Sequence, residues 1–78
     1  MNMNAQKICD ILSIGTSVTI LTTPYSVTQL RKMAKAAQRG NCTLTLTAHD
    51  ELTLTDIENI VEEAPRHVSL NLSEYPQD

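Results

Sequence analysis

The chain has 78 residues and a net charge of −3, and it contains neither Trp nor Phe. This length allows one small domain with an aliphatic core, which is typically stable by only about 5 kcal/mol. The mild negative charge excludes the global basic footprint that nucleic-acid and anionic-membrane binders carry.

Three helices are predicted, because one spacing of apolar or small residues occurs three times along the chain. The three sets are Ala5, Ile8, Ile11, Leu12 and Gly15; Val27, Leu30, Met33, Ala34 and Ala37; and Leu54, Ile57, Ile60, Val61 and Ala64. Favoured N-cap residues precede them at Asn4, Ser26 and Thr53. Gly15 and Gly40 are expected to adopt the left-handed conformation where the first two helices end. The helices are predicted near 4–14, 26–38 and 54–64.

An alternating run follows each helix and predicts strands near 17–22, 42–47 and 67–72. The predicted fold is α/β with two layers: three αβ units, a parallel three-stranded sheet in the order 1-2-3, and three helices on one face. A different strand order remains the alternative. We expect one domain over 1–78, with units near 4–22, 26–47 and 53–73 and a short polar tail at 74–78.

The alternation also assigns the two faces of the sheet. Leu44 and Leu70 should lie under the helices and, with Leu30 and Ile57, be almost fully buried. The other face should be open, which is unusual for a parallel sheet outside solenoids. Its residues are predicted to be Thr19, Leu21, Thr43, Thr45, Thr47, Ser69, Asn71 and Ser73.

The stretch with Leu44-Thr45-Leu46, then Leu52 to Val61, then Val68-Ser69-Leu70-Asn71-Leu72 resembles a leucine-rich repeat of the ribonuclease-inhibitor-like kind. Degenerate copies of about 22–27 residues cover most of the chain. The Asn that the family has after its strand is absent here. The resemblance implies a short solenoid that recognises protein through its open sheet face, and it transfers no binding residues.

The carboxyl ends of the predicted strands gather polar residues along one edge, where ligands of parallel α/β units tend to bind. Tyr25, His49 and Glu51 are the candidates for a small-ligand or acid–base site there, with Asp50, Glu74 and Tyr75 beside them. A solvated turn is the simpler interpretation, since these residues match no zinc-ligand spacing. We therefore expect no cofactor, no metal and no enzymatic activity.

Charge is segregated between the second and third helices. The second carries only bases, at Arg31, Lys32, Lys35 and Arg39, which makes nucleic-acid binding an alternative function. On a right-handed crossover, however, Arg31 and Lys35 should face Asp56 and Glu63 of the third helix. Much of the basic stripe would then be neutralised within the domain.

Cys9 and Cys42 form no paired motif and are interpreted as reduced structural thiols of a cytoplasmic protein. The polar start MNMNAQK predicts no signal peptide, and no apolar run approaches the ~20 residues that cross a bilayer. We expect a non-enzymatic interaction module that self-associates or binds a partner protein through its open sheet face and edge strands.

Overall fold

The computed structural model describes residues 4–73, in which helices and strands alternate. The elements are α1 (Ala5–Ser13), β1 (Val18–Leu21), α2 (Val27–Gly40), β2 (Leu44–Thr47), α3 (Leu54–Glu63) and β3 (Val68–Asn71). The strands are parallel and lie in the order β1-β2-β3. The predicted α/β class, element order and strand order are confirmed. Within residues 4–73, none of the helices has the length and apolar character needed to cross a bilayer.

Each helix begins where its N-cap residue predicts. The Asn4 side chain accepts from the backbone N–H of Lys7 at 2.9 Å. Ser26 and Thr53 form complete capping boxes with Gln29 and Asp56, so that side chain and backbone bond reciprocally in both turns. These local hydrogen bonds fix the three starts independently of the core.

The two glycines have different roles. Gly15 follows α1 with φ +96°, in the left-handed region as predicted. The prediction for Gly40 is wrong, because Gly40 is the last residue of α2 and the left-handed position is Asn41, with φ 55°. Gly40 is needed for space, since a Cβ there would overlap the carbonyl oxygen of Leu12.

The core lies between the helices and the inner face of the sheet. Leu30 and Leu44 are fully buried and Ile57 is 6% exposed, as predicted. The prediction for Leu70 is wrong, because its side chain is 38% exposed. Among residues 4–73, no element lies beyond β3, and the inner face of β3 therefore lacks the cover that neighbouring units give to β2.

Candidate functional site

The predicted open face exists as a row of small polar side chains across the sheet. Thr19 pairs with Thr45, and Thr45 pairs with Ser69. Thr19 and Ser69 are exposed and Thr45 is half-buried. Leu21 is the large apolar member of this face and is 60% exposed. The row thus forms a flat polar surface with one apolar side chain at its β1 side.

Two side chains assigned to the open face, those of Thr47 and Asn71, bond to each other within the domain. Thr47 is buried at 9% exposure, and the side-chain amide of Asn71 donates to its hydroxyl at 3.4 Å. Thr47 lies on the same face as its register partners Leu21 and Asn71, but little of its side chain is exposed to a partner. The N–H of Thr43 donates to the Ser17 hydroxyl at 3.0 Å. The usable part of the face is its centre and its β1 side.

The backbone of β1 is unpaired on its outer side within residues 4–73, since β2 is its only neighbour in the sheet. Val18 and Thr22 donate toward β2, to the carbonyls of Thr43 and Thr47 at 3.1 and 3.2 Å. Parallel strands alternate the direction of their backbone groups. The N–H and C=O groups of Thr19 and Leu21 therefore point away from the sheet.

A groove of about 240 Å³ lies beside this free edge. Ile8 of α1 forms part of its wall, together with Pro24 and Tyr25 from the segment after β1. The complete lining is Ile8, Val18, Thr19, Ile20, Leu21, Pro24 and Tyr25. An apolar groove next to unpaired backbone offers hydrogen bonds and side-chain burial in the same place.

The predicted ligand edge is organised around Thr22, a residue that the sequence analysis did not select. Thr22 is fully buried, and its hydroxyl donates to the carbonyl of Thr47 at 3.2 Å. The same hydroxyl accepts from the backbone N–H of His49 at 3.1 Å and lies 2.5 Å from His49 Nδ1. Because the Thr22 hydroxyl hydrogen is used in the bond to the Thr47 carbonyl, Nδ1 of His49 is the donor in the contact between His49 and Thr22.

This arrangement joins the first two units and leaves His49 with a structural role. Glu51 is exposed, and Tyr25 lines the groove at β1. Glu74 and Tyr75 lie outside the described residues. Residues 4–73 contain no cluster of three His, Cys, Asp or Glu side chains that could hold a metal ion. The strand register, extended by one residue, matches Thr22 with Ala48, so the repeat gave no signal for the contact between Thr22 and His49.

The basic helix is partly neutralised, as the charge pattern predicts. Glu63 accepts from Arg31 Nε at 2.8 Å and lies 3.4 Å from Lys35 Nζ. The hydrogen bond from Arg31 holds the pKa of Glu63 below its usual range, and Lys35 adds to the effect. Asp56 is instead used in the capping box with Thr53.

A shallow pocket of about 180 Å³ lies over this ion pair and is lined by Thr28, Arg31, Lys32, Lys35 and Glu63. A phosphate entering it would meet the Glu63 carboxylate. Arg39 is exposed at the other end of α2. The four bases therefore do not form one uninterrupted positive surface.

The two cysteines are free thiols. Cys42 is buried and its Sγ lies 3.1 Å from the carbonyl oxygen of Leu12, which ties the start of the second strand segment to α1. Burial raises the pKa of the half-buried Cys9 thiol, and the neighbouring Asp10 raises it further.

His67 also has a structural role, which its sequence pattern does not predict. Its Nδ1 lies 2.9 Å from the carbonyl oxygen of Cys42, and a carbonyl can only accept, so Nδ1 donates. His67 thereby connects the starts of the second and third strands. Its position just before a strand gave no sign of this contact.

The geometry therefore brings one set of candidate residues together in an accessible place: the outer edge of β1 with Leu21 and the adjoining groove. Comparison of the chain with protein-family models, with curated proteins and with solved structures finds no match.

Proposed function

We propose that this protein is a non-enzymatic interaction module that binds a partner protein through its sheet, with the outer edge of β1 as the principal contact. The observation that carries the proposal is the outward backbone of Thr19 and Leu21 lying directly beside the apolar groove. Unpaired strand edges are sites at which proteins add a further strand.

An added strand would use both features. Its backbone would exchange hydrogen bonds with Thr19 and Leu21, which supplies affinity for any sequence. Its alternate side chains would point into the groove beside Ile8 and Tyr25, which selects apolar residues at every second position. The remaining side chains would lie beside Thr19 and Leu21 on the open face, next to the β1 end of the polar row. The expected partner segment is therefore an amphipathic strand.

The alternative function, nucleic-acid binding through the basic helix α2, is less well supported. Arg31 and Lys35 are held by Glu63, and the pocket over them carries that carboxylate. A nucleic-acid site that uses Lys32 and Arg39 alone would have few phosphate contacts. This alternative is the competing outcome of the experiment below.

The experiment has two steps. First, a photo-crosslinking amino acid replaces Leu21 in one sample and Lys32 in another, in the native cell extract, and mass spectrometry identifies what is captured at each position. Second, a protein captured from position 21 is purified and its affinity is measured for three forms of the chain: wild type, Thr19→Pro, and Lys32→Glu/Arg39→Glu. Circular dichroism verifies that each form is folded.

Thr19→Pro removes the outward N–H and leaves the hydrogen bonds from β1 to β2 in place, because those involve the alternate residues. We expect it to weaken binding by about tenfold or more, the loss of at least one backbone hydrogen bond together with poorer packing. The charge-reversed variant should bind as wild type does. If Thr19→Pro binds normally and Lys32→Glu/Arg39→Glu does not, the contact runs through α2 and the proposal is wrong.

A further inference from the structure

We infer that the strand added to β1 is β3 of a second copy of this chain, so that copies associate head to tail. This inference rests on the proposed function, since it names the occupant of the same β1 edge. Both ends of the sheet are free within residues 4–73, and they differ from each other. A head-to-tail contact is the one that uses both.

The backbone of the two ends is complementary in a parallel pairing. On β3, the carbonyls of His67 and Asn71 accept from β2, at 2.8 and 3.1 Å, so the groups of Val68 and Leu70 point outward. On β1 the outward groups belong to Thr19 and Leu21. Parallel pairing with Leu70 opposite Ile20 of the next copy lets the outward groups bond to each other.

The same register also keeps the two faces of the sheet continuous. Leu70 and Ile20 both lie on the helix side of their sheets, as Leu46 does between them in the present domain, where Ile20 pairs with Leu46 and Leu46 with Leu70. The polar row of one copy would continue into Thr19 of the next. Each junction between copies would thus repeat the junctions already present inside the chain.

Apolar surface is left uncovered where this contact would form. Leu70 is 38% exposed and Leu72 is 42% exposed at the β3 end. At the β1 end, the half-buried side chains of Val18 and Ile20 line the open groove. In a head-to-tail pair, α1 of the next copy would lie beside α3 and over this part of β3. The exposed leucines would then gain the cover that Leu44 and Leu46 have.

Charge distinguishes this contact from a symmetric one. The flank of α3 that carries Glu63 faces α2, so helical periodicity places Leu54 and Glu58 on the outer flank. The charges of Lys32 and Arg39 on α2 lower the pKa of the Cys9 thiol, which places Cys9 on the flank of α1 that faces α2. Helical periodicity then places Lys7 on the opposite, outer flank of α1. Head-to-tail stacking brings Glu58 to the flank that carries Lys7.

A symmetric pairing of two β1 edges would place one Lys7 near the other and leave Leu70 and Leu72 exposed. Leu54, which is 69% exposed on the outer flank of α3, would also stay in water.

Heterologous contacts of the head-to-tail kind do not close on themselves unless the rotation completes a ring. The expected assembly is therefore a series of increasing length rather than a single dimer.

The test uses two variants, each blocked at one end, in sedimentation equilibrium over a wide range of concentration. Thr19→Pro blocks β1, and Leu70→Pro blocks β3 by removing the matching outward N–H. If Leu70→Pro does not fold, Leu70→Lys replaces it. A charge at this exposed position on the helix side of β3 would prevent α1 of the next copy from packing over it. Lys32→Glu is the control on a surface that takes no part.

Wild type and Lys32→Glu should increase in mass with concentration beyond that of a dimer. Each blocked variant alone should remain a monomer, and an equimolar mixture of the two should form a heterodimer and nothing larger. A β3-blocked variant that dimerises alone would show that two β1 edges pair, which overturns the inference. Wild type that remains a monomer at every concentration overturns it as well.

The two proposals fail separately. A monomeric wild type that still binds its crosslinked partner, with weaker binding by Thr19→Pro, contradicts only the head-to-tail contact. Normal partner binding by Thr19→Pro contradicts the β1 edge as a binding site.

Discussion

The two sides of α2 are built differently. On the α1 side, α2 presents Ala36 and Gly40, and the backbone of Gly40 comes so close to Leu12 that no Cβ fits between them. On the α3 side, α2 presents Arg31 and Lys35, whose long side chains reach across to Glu63. One contact is made by close approach of the two backbones, and the other is ionic and borders solvent.

The sheet shows the same difference. In β2, Leu44 and Leu46 are fully buried, whereas in β3 Leu70 is 38% exposed. The first two units are also joined by the buried Thr22 hydroxyl, while Asn71 at the second junction is exposed. Units one and two therefore form a tightly packed pair. Unit three is attached through a more solvent-exposed contact, and its far side is uncovered within residues 4–73.

The largest effect is expected from a matched pair of leucine-to-alanine substitutions in the sheet. Leu44→Ala should destabilise the fold by about 2–5 kcal/mol, because it removes a fully buried side chain and leaves a cavity. Leu70→Ala should cost about 1–2 kcal/mol, since much of that side chain is already in water. Urea denaturation of both variants measures the two values. Equal losses would show that unit three is packed as tightly as unit two.

The close contact between α1 and α2 is tested by Gly40→Ala. The added Cβ meets a backbone carbonyl, so the helices must move apart, and we expect a loss of about 1–3 kcal/mol despite the better helix propensity of alanine. Gln38→Ala, on the exposed side of the same helix, is the control and should be neutral or slightly stabilising. Thermal unfolding of the pair checks this. A Gly40→Ala variant as stable as the control would mean that α1 and α2 are not in backbone contact.

Much of the fold is predictable from the sequence because its signals are local. Ser26 and Thr53 define helix starts by hydrogen bonds that span three residues, and strand alternation identifies the inner face. Repetition of these signals then gives parallel strands in sequential order. The prediction for Leu70 failed because burial depends on what covers a residue, and the alternation is the same in a covered and an uncovered strand.

The candidate site was harder to predict for the same reason. The polar row at Thr19, Thr45 and Ser69 follows from alternation, and the neutralisation of Arg31 follows from crossover handedness. The groove at β1 does not, because Ile8 and Tyr25 meet only through tertiary packing. Thr22 and His67 were missed because their hydrogen bonds join residues 27 and 25 positions apart.

The junction between units one and two is tested by Thr22→Val. Valine keeps the shape of threonine but removes the hydroxyl, so the backbone N–H and the Nδ1 hydrogen of His49 both lose their acceptor and the Thr47 carbonyl loses one of its two donors. We expect a loss of about 1–2 kcal/mol. Thr19→Val, in an exposed position of the same strand, is the control and should change little. Hydrogen exchange at the His49 amide offers an independent measurement, and unchanged protection there would contradict the assigned hydrogen bond.

The smallest effect is expected at the ionic junction between α2 and α3, and it should depend on pH. Because Arg31 lowers the pKa of Glu63 in the folded state, the pair stabilises the fold fully above the unfolded-state pKa of about 4.3. That contribution should disappear as the pH falls through the lower, folded-state value. Glu63→Gln should therefore be slightly less stable than wild type at neutral pH and should match it in strong acid. The side chains of Arg31 and Lys35 are 50% and 63% exposed, so added salt should reduce the neutral-pH difference as well.

Glu58→Gln, on the outer flank of α3, is the control for losing one negative charge. A Glu63→Gln deficit that persists unchanged in acid and in salt would mean that the Glu63 side chain stabilises the junction by packing, and that this side of α2 resembles the other.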